Sequence, residues 1–224
     1  MPRGNLESFE PRPLLLIEAK RQLRNGSIYE CLIKLRKQKV DLNLVIDFDH
    51  QLFLSKVPEF VADCLNGNAE LLSLLISSLE NGNIAFRKYG YLIFDGFHEH
   101  NDAAFFNSKV NIVCSALRLE MSKELGAGRV DALNPILCSF AKQYPPQLVC
   151  ALKLIRKVFA VDNDRQLYGS KAQSALKYLS FVTDTENLFR AALSECDFGM
   201  CRAIARQSQM DPKVAKSHSL IFFS

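Results

Sequence analysis

The sequence has no tryptophan, and only 10 of its 224 residues are glycine and 8 are proline. Each shortage excludes something. No glycine-rich phosphate loop is present, since Gly126-Ala127-Gly128 lacks the lysine that would follow in one. Neither a G-x-S-x-G nucleophile elbow nor an H-E-x-x-H zinc helix occurs. Charge of one sign is also missing: 28 basic and 24 acidic residues leave +4, too weak alone to argue for nucleic acid. No apolar run reaches the roughly 18 residues of a membrane span, and Glu18 ends the block Leu14 to Ile17. Asn5, Glu7 and Glu10 stand where a secretory signal would need an apolar core. Without tryptophan the tetratricopeptide consensus cannot be met, and no fixed repeat period is found.

What is there is helical periodicity. Ile28, Cys31, Leu32 and Leu35 stand at i, i+3, i+4, i+7. So do Val57, Phe60, Val61 and Cys64, and Val110, Val113, Cys114 and Leu117 with Met121 a turn further. Leu148, Ala151, Leu152, Ile155, Val158 and Phe159 draw the longest stripe. Each is one buried face of an amphipathic helix. Ser27-x-x-Glu30, Ser170-x-x-Gln173 and Thr183-x-x-Glu186 read as capping boxes, and Asn25-Gly26, Asn66-Gly67 and Asn81-Gly82 as helix stops. Pro145-Pro146 leads into the stripe from Leu148. The spacing predicts helices near 12–25, 27–38, 41–48, 55–66, 68–80, 107–124, 129–142, 145–160 and 170–206, the last broken near Thr183 and Glu195. Short loops between them favour antiparallel hairpins. The expected fold is all-α, an irregular, tetratricopeptide-like α-solenoid spanning 13–210. Residues 83–106, rich in Phe and Tyr around Gly90 and Gly96, break the pattern and read as an insertion holding a short hairpin or ordered loop.

Candidate chemistry is sparse. His98 and His100, flanked by Asp95, Glu99 and Asp102, could ligate a metal. His50 and His218 are isolated in the sequence, so a polar loop tip is the better reading, and no metal or cofactor is expected. Cys196 and Cys201 are too far apart for a Cys-x-x-Cys redox pair, and Cys201 lies on the stripe Phe198, Cys201, Ile204 and Ala205. The seven cysteines are odd in number and scattered, as expected of reduced core thiols in the cytoplasm or nucleus. Lys34, Arg36, Lys37 and Lys39, with Lys20, Arg21 and Arg24 nearby in sequence, form a basic cluster. Cations there complement a helix dipole, and they could also meet RNA phosphates. The candidate RNA contacts are Arg21, Arg24, Lys34, Arg36, Lys37 and Lys39. The aromatic interleaving of a single-strand platform is missing.

Three blocks carry a resemblance. The first is MPRGNLESFEPR, followed by a helix and then ECLIKLRKQKVDLNLVIDFD. Within it, Leu35, Arg36 and Asp41 to Asp47 match a signature of the form RKLR…NLN-hydrophobic-hydrophobic-D. Phe53, Leu54, Val57 and Phe60 match the next segment, and ALKYLSFVTDTENLFRAALSECDFGMCRAIARQSQMDPK a third. In order and spacing these blocks resemble the largest subunit of the Elongator complex, the IKAP family. Residues 67–108 match poorly, and the tail VAKSHSLIFFS departs after Lys213.

The resemblance implies a scaffold with two propellers, an α-solenoid and a C-terminal dimerisation region. It would hold a complex that installs carboxymethyl-type modifications on transfer RNA wobble uridines, with the chemistry on another subunit. This chain would correspond to the start of the solenoid, with 1–12 a linker from a propeller region and 211–224 a divergent tail. The family's dimerisation region and its basic RNA-binding stretch carry over to no residue here. The expected role is non-enzymatic, with other Elongator subunits as partners, transfer RNA met through the complex, and no membrane. The alternative is an independent RNA-binding helical-repeat module using the basic cluster. Cut at both ends, such a segment would expose apolar faces, Leu220 to Phe223 among them.

Overall fold

A computed structural model describes residues 11–90, 102–159 and 170–207. Thirteen α-helices and no strand occur among them. In the first part these are α1 (Arg12–Arg24), α2 (Ile28–Lys37), α3 (Leu44–Asp47), α4 (His50–Ser55), α5 (Val57–Gly67), α6 (Glu70–Ser78) and α7 (Ile84–Tyr89). The second part holds α8 (Ala103–Gly126), α9 (Leu133–Lys142), α10 (Leu148–Phe159), α11 (Ser170–Val182), α12 (Thr185–Ser194) and α13 (Phe198–Gln207). The helices α1 and α2, α8 and α9, and α12 and α13 pair as neighbours, and α6 and α11 also pack on α9, an irregular α-solenoid. None of the described helices is long and apolar enough to cross a membrane. Apart from Pro11 and Arg12, the expected linker lies outside the described residues, as does the tail with Leu220 to Phe223.

The apolar stripes form the core as their spacing predicts. Cys31, Leu32 and Leu35 are fully buried, as are Val113, Cys114, Leu117 and Met121. One cluster joins α1–α8 to part of α9, and a second joins α9 to α10–α13. The two meet across α9, which places Ile136 and Cys138 in the first and Leu133 and Leu137 in the second. Leu125, Phe140, Leu154 and Tyr178 pack against both. Lys153 and Arg156 on α10 add ion pairs to Glu195 (2.8 Å) and Asp197 (3.5 Å) at the α12–α13 turn.

Several elements differ from expectation. The helix expected at 41–48 is one turn, because Asp41 and Asn43 fold the preceding backbone into a turn. The helix α4 was not expected; Asp49 caps it by accepting the Leu52 N–H. The supposed insertion begins as α7, capped by Asn83 at the Phe86 N–H, rather than as a hairpin strand. Phe105 and Phe106 are core residues of α8. Residues 91–101, with His98 and His100, lie outside the described residues.

Among the described residues Asp49, Asn83, Asp102 and Asp184 are N-caps that accept a backbone N–H, and none of them is a hydroxyl residue. Ser27 sits at the N-cap of α2 without a side-chain bond. Asp184, not Thr183, caps α12 by accepting the Asn187 N–H. The side chain of Ser170 lies outside the described residues.

Among the described residues four helices end in Schellman motifs, in which the N–H of the second residue past the cap returns to a carbonyl five positions back. These are Ser27 to Gln22, Val40 to Leu35, Arg129 to Glu124 and Asp197 to Ala192. Gly26 and Gly128 supply the left-handed residue in two of them, but Lys39 (φ 53°) and Cys196 (φ 53°) supply it in the others. A left-handed L-residue costs about 1–2 kcal/mol, and glycine returns roughly 0.5–1 kcal/mol of that as unfolded-state entropy. Lys39→Gly is therefore expected to stabilise the chain by ~0.5–1 kcal/mol, read as a raised denaturant midpoint with unchanged slope.

Asn66-Gly67 closes α5 as expected but without a left-handed turn, since Gly67 is the last helical residue and its φ is not positive. The helix α5 runs through Gly67, and Arg129 takes the Leu65 carbonyl and the Asn66 side chain. Gly67 serves a neighbour instead: a Cβ there would lie 2.1 Å from the Tyr29 hydroxyl and 2.7 Å from its ring carbon. Gly67→Ala should push Tyr29 off α5 and cost about 1–3 kcal/mol, as overpacking does. A thermal melt checks it, and Gly67→Ala combined with Tyr29→Phe should recover part of the loss.

Candidate interaction surface and its internal brace

The six basic residues singled out in the sequence do not form one patch. The helices α1 and α2 run antiparallel, with Cys31 Sγ on the Ala19 carbonyl (3.8 Å) marking where they pair. Arg24 therefore sits at the turn end of the hairpin, and Arg36, Lys37 and Lys39 at its open end. Arg21 is bound by Glu18 through two contacts of 2.9 and 2.8 Å, which hold the Glu18 carboxyl below its usual range. The charge of Lys34 also acts on Glu18. Lys20 lies 5.4 Å from the centre of the Phe48 ring. The side chains of Arg36, Lys37 and Lys39 make no ion pair with a described residue.

The segment Asp41 to Asp47 builds a polar brace inside the solenoid. Asn43 is fully buried; its amide donates to the Ser78 carbonyl (2.8 Å) and its oxygen accepts the Glu80 N–H (3.1 Å). Asp41 accepts from the Asn43 backbone and amide, both at 2.9 Å, and pairs with Lys88. Burial raises the Asp41 carboxyl, but Lys88 and Asn43 together outweigh it and hold it below the ordinary range.

Asp47 accepts the Ile84 and Ala85 N–H groups through one oxygen (2.7 and 3.0 Å). Its other oxygen meets Lys109 Nζ at 2.7 Å. Lys109 also donates to the Gly82 carbonyl, and Asn81 accepts the Val110 N–H. Both charged side chains are fully buried. Burial pushes the Asp47 carboxyl up and the Lys109 ammonium down, each opposed by its partner. The brace thus pins the α6–α7 connection between α3 and α8. Its donors and acceptors are spent on the fold.

Lys109 was missed by sequence reasoning, although its position was a signal. It stands at the core register of α8 between Phe106 and Val113, where an unpaired lysine would not survive burial. A second missed cluster joins Arg118 to Gln143 (2.8 Å), with the guanidinium 4.2 Å from the Phe140 ring centre.

His50 is not isolated. It stacks on Phe105 at 4.1 Å between centroids and lies 3.3 Å from Asp102, the residue that caps α8. Among the described residues no group of three His, Cys, Asp or Glu side chains is placed to hold a metal. Cys31, Cys64, Cys114, Cys138 and Cys201 are buried, and Cys150 and Cys196 exposed. Burial pushes the thiols of Cys31, Cys64 and Cys114 up to about 12 and that of Cys201 to about 11, which leaves little nucleophilic thiolate at neutral pH. The apolar pocket between Leu23, Ile28, Val45, Phe48 and Phe53 has ≈ 10 Å³ of free volume. Small-molecule sites need about 300–1,000 Å³.

Residues 12–215 match the ELP1 alpha-solenoid family. Elongator complex protein 1 of Schizosaccharomyces pombe is 27% identical over 213 residues, 95% of this chain and 16% of that protein. The Drosophila melanogaster protein of the same name is 29% identical with the same coverage. The putative elongator complex protein 1 of Xenopus laevis is 30% identical over 213 residues, 95% of this chain and 17% of that protein. The chain thus spans about a sixth of the length of these relatives. A family match over every described helix, with the Asp41–Asp47 signature serving as the brace that orders α3, α7 and α8, places the chain in the ELP1 alpha-solenoid family.

Proposed function

We propose that this chain is a non-catalytic scaffold segment of the Elongator complex, supporting transfer RNA wobble-uridine modification through contacts with other subunits. The observation that carries the reading is the family match across 12–215, which takes in every described helix. The chemistry is consistent with it: the buried polar groups brace the backbone, and the core thiols are held protonated. Transfer RNA is then met through the assembled complex, in the cytoplasm and the nucleus.

Co-purification tests this. The tagged chain, expressed with the other Elongator subunits, is expected to retain at least one of them through gel filtration. A folded chain that retains none overturns the reading for this segment. An independent RNA-binding module has less support, because the hairpin separates Arg24 from Arg36, Lys37 and Lys39 and ties Arg21 to Glu18.

A further inference from the structure

Among the described residues, three of the ten large exposed apolar side chains lie on the α1–α2 hairpin: Leu14 (59% exposed), Ile17 (61%) and Ile33 (41%). Leu14 and Ile17 are one turn apart on α1, opposite the buried Leu15, Leu16 and Ala19. Ile33 lies on α2 opposite Cys31, Leu32 and Leu35. The antiparallel pairing sets the α1 end that carries Leu14 beside the α2 end that carries Arg36 and Lys37. Lys39 follows at the Schellman turn, in a left-handed conformation where glycine would cost less. An ammonium without an ion pair to a described residue, kept at a strained position beside an apolar ridge, points from strain to function.

We propose that the outer face of this hairpin docks an acidic amphipathic segment of a partner polypeptide. The partner's apolar side chains would cover Leu14, Ile17 and Ile33, and its carboxylates would meet Arg36, Lys37 and Lys39. Charge complementarity favours this occupant over the others. RNA gains nothing from an aliphatic ridge without a stacking face, and three cations are few beside the 6–10 phosphate contacts of a typical nucleic-acid interface. A second copy would set one basic corner against another, and like charges oppose association. Glu30 lies at the other end of α2, away from the cations. The inference stands on the hairpin itself and goes beyond the scaffold reading. A complex that forms elsewhere on the chain leaves it intact.

The probe is a synthetic peptide of about 15 residues, long enough to form a helix. It carries leucine at i, i+3, i+4 and i+7 and glutamate on the other face, and binding to the full chain is followed by fluorescence anisotropy. The chain is expected to bind it, with affinity falling as salt rises. Leu14→Ser with Ile17→Ser should weaken binding at least about tenfold, a loss near 1.4 kcal/mol. Lys37→Glu with Lys39→Glu should do the same. All four positions are exposed, so circular dichroism should stay unchanged. Lys39→Gly separates the two roles of that residue, with stability rising while peptide affinity falls. Any of four results overturns the proposal. These are no binding, equal binding of an acidic peptide with serine at the leucine positions, tighter binding of an RNA duplex indifferent to Leu14→Ser with Ile17→Ser, and self-association abolished by that variant.

Discussion

Lys109→Met is expected to cost the fold about 3–5 kcal/mol, the range seen when one member of a buried ion pair is removed. For a chain of this length that is a fall in melting temperature of roughly 10 °C. The methionine fills the volume, so the loss is electrostatic. Asp47 would remain fully buried, with the Ile84 and Ala85 N–H groups still on it but no cation. The pH dependence gives an independent check. Burial already raises the Asp47 carboxyl, and losing Lys109 should raise it further. A carboxyl whose folded pKa lies above its unfolded value destabilises the fold above the folded pKa. That penalty is relieved as pH falls through the folded pKa toward the unfolded one. Lys109→Met should therefore be most destabilised near neutral pH, and its deficit from the parent should narrow on acidification. A deficit that stays constant with pH would assign the loss to packing.

Asp47→Asn with Lys109→Met completes the cycle. The asparagine oxygen can keep both backbone N–H groups while the charge is gone, so the double variant should be more stable than the two single losses predict. Additive losses would mean that the pair contributes no coupling.

How much of this was legible in the sequence depends on which interactions are local. The stripes of α2, α5, α8 and α10 were readable because a 3.6-residue period needs no partner to be seen. Helix ends were less so. Gly26 and Gly128 announce a left-handed turn, but Lys39 and Cys196 adopt the same conformation without announcing it. Their turns are set by the Val40 and Asp197 N–H groups reaching back to Leu35 and Ala192, as each following hairpin arm packs. At α12 the pattern offered Thr183 as the cap, and only the geometry selects Asp184. The brace was visible as a family signature, but its chemistry was not, because Asp47 and Lys109 are 62 residues apart. Nor could charge spacing along the chain reveal that a hairpin would carry Arg24 and Lys37 to opposite ends.

Leu137→Ala should be the other large loss, about 2–5 kcal/mol, since Leu137 is fully buried and leaves a cavity. Where the loss is felt is the sharper prediction. Leu137 belongs to the cluster of α10–α13, while Ile136 beside it belongs to the cluster of α1–α8. In a solenoid, stability is a sum of local units and the interfaces between them, so a defect loosens its own side first. Hydrogen exchange in Leu137→Ala should rise most in α10–α13 and least in α1–α6. Leu72→Ala, a fully buried truncation on α6, should show the reverse. Equal rises on both sides in both variants would mean that α9 couples the clusters into one cooperative unit. The side chains against both clusters, Phe140 and Tyr178 among them, would then be where that coupling is carried. Tyr178→Phe keeps the ring and removes the hydroxyl, which lies close to Ser73 on α6 and Cys138 on α9. If polar contact rather than packing joins the halves, that change alone should separate their exchange.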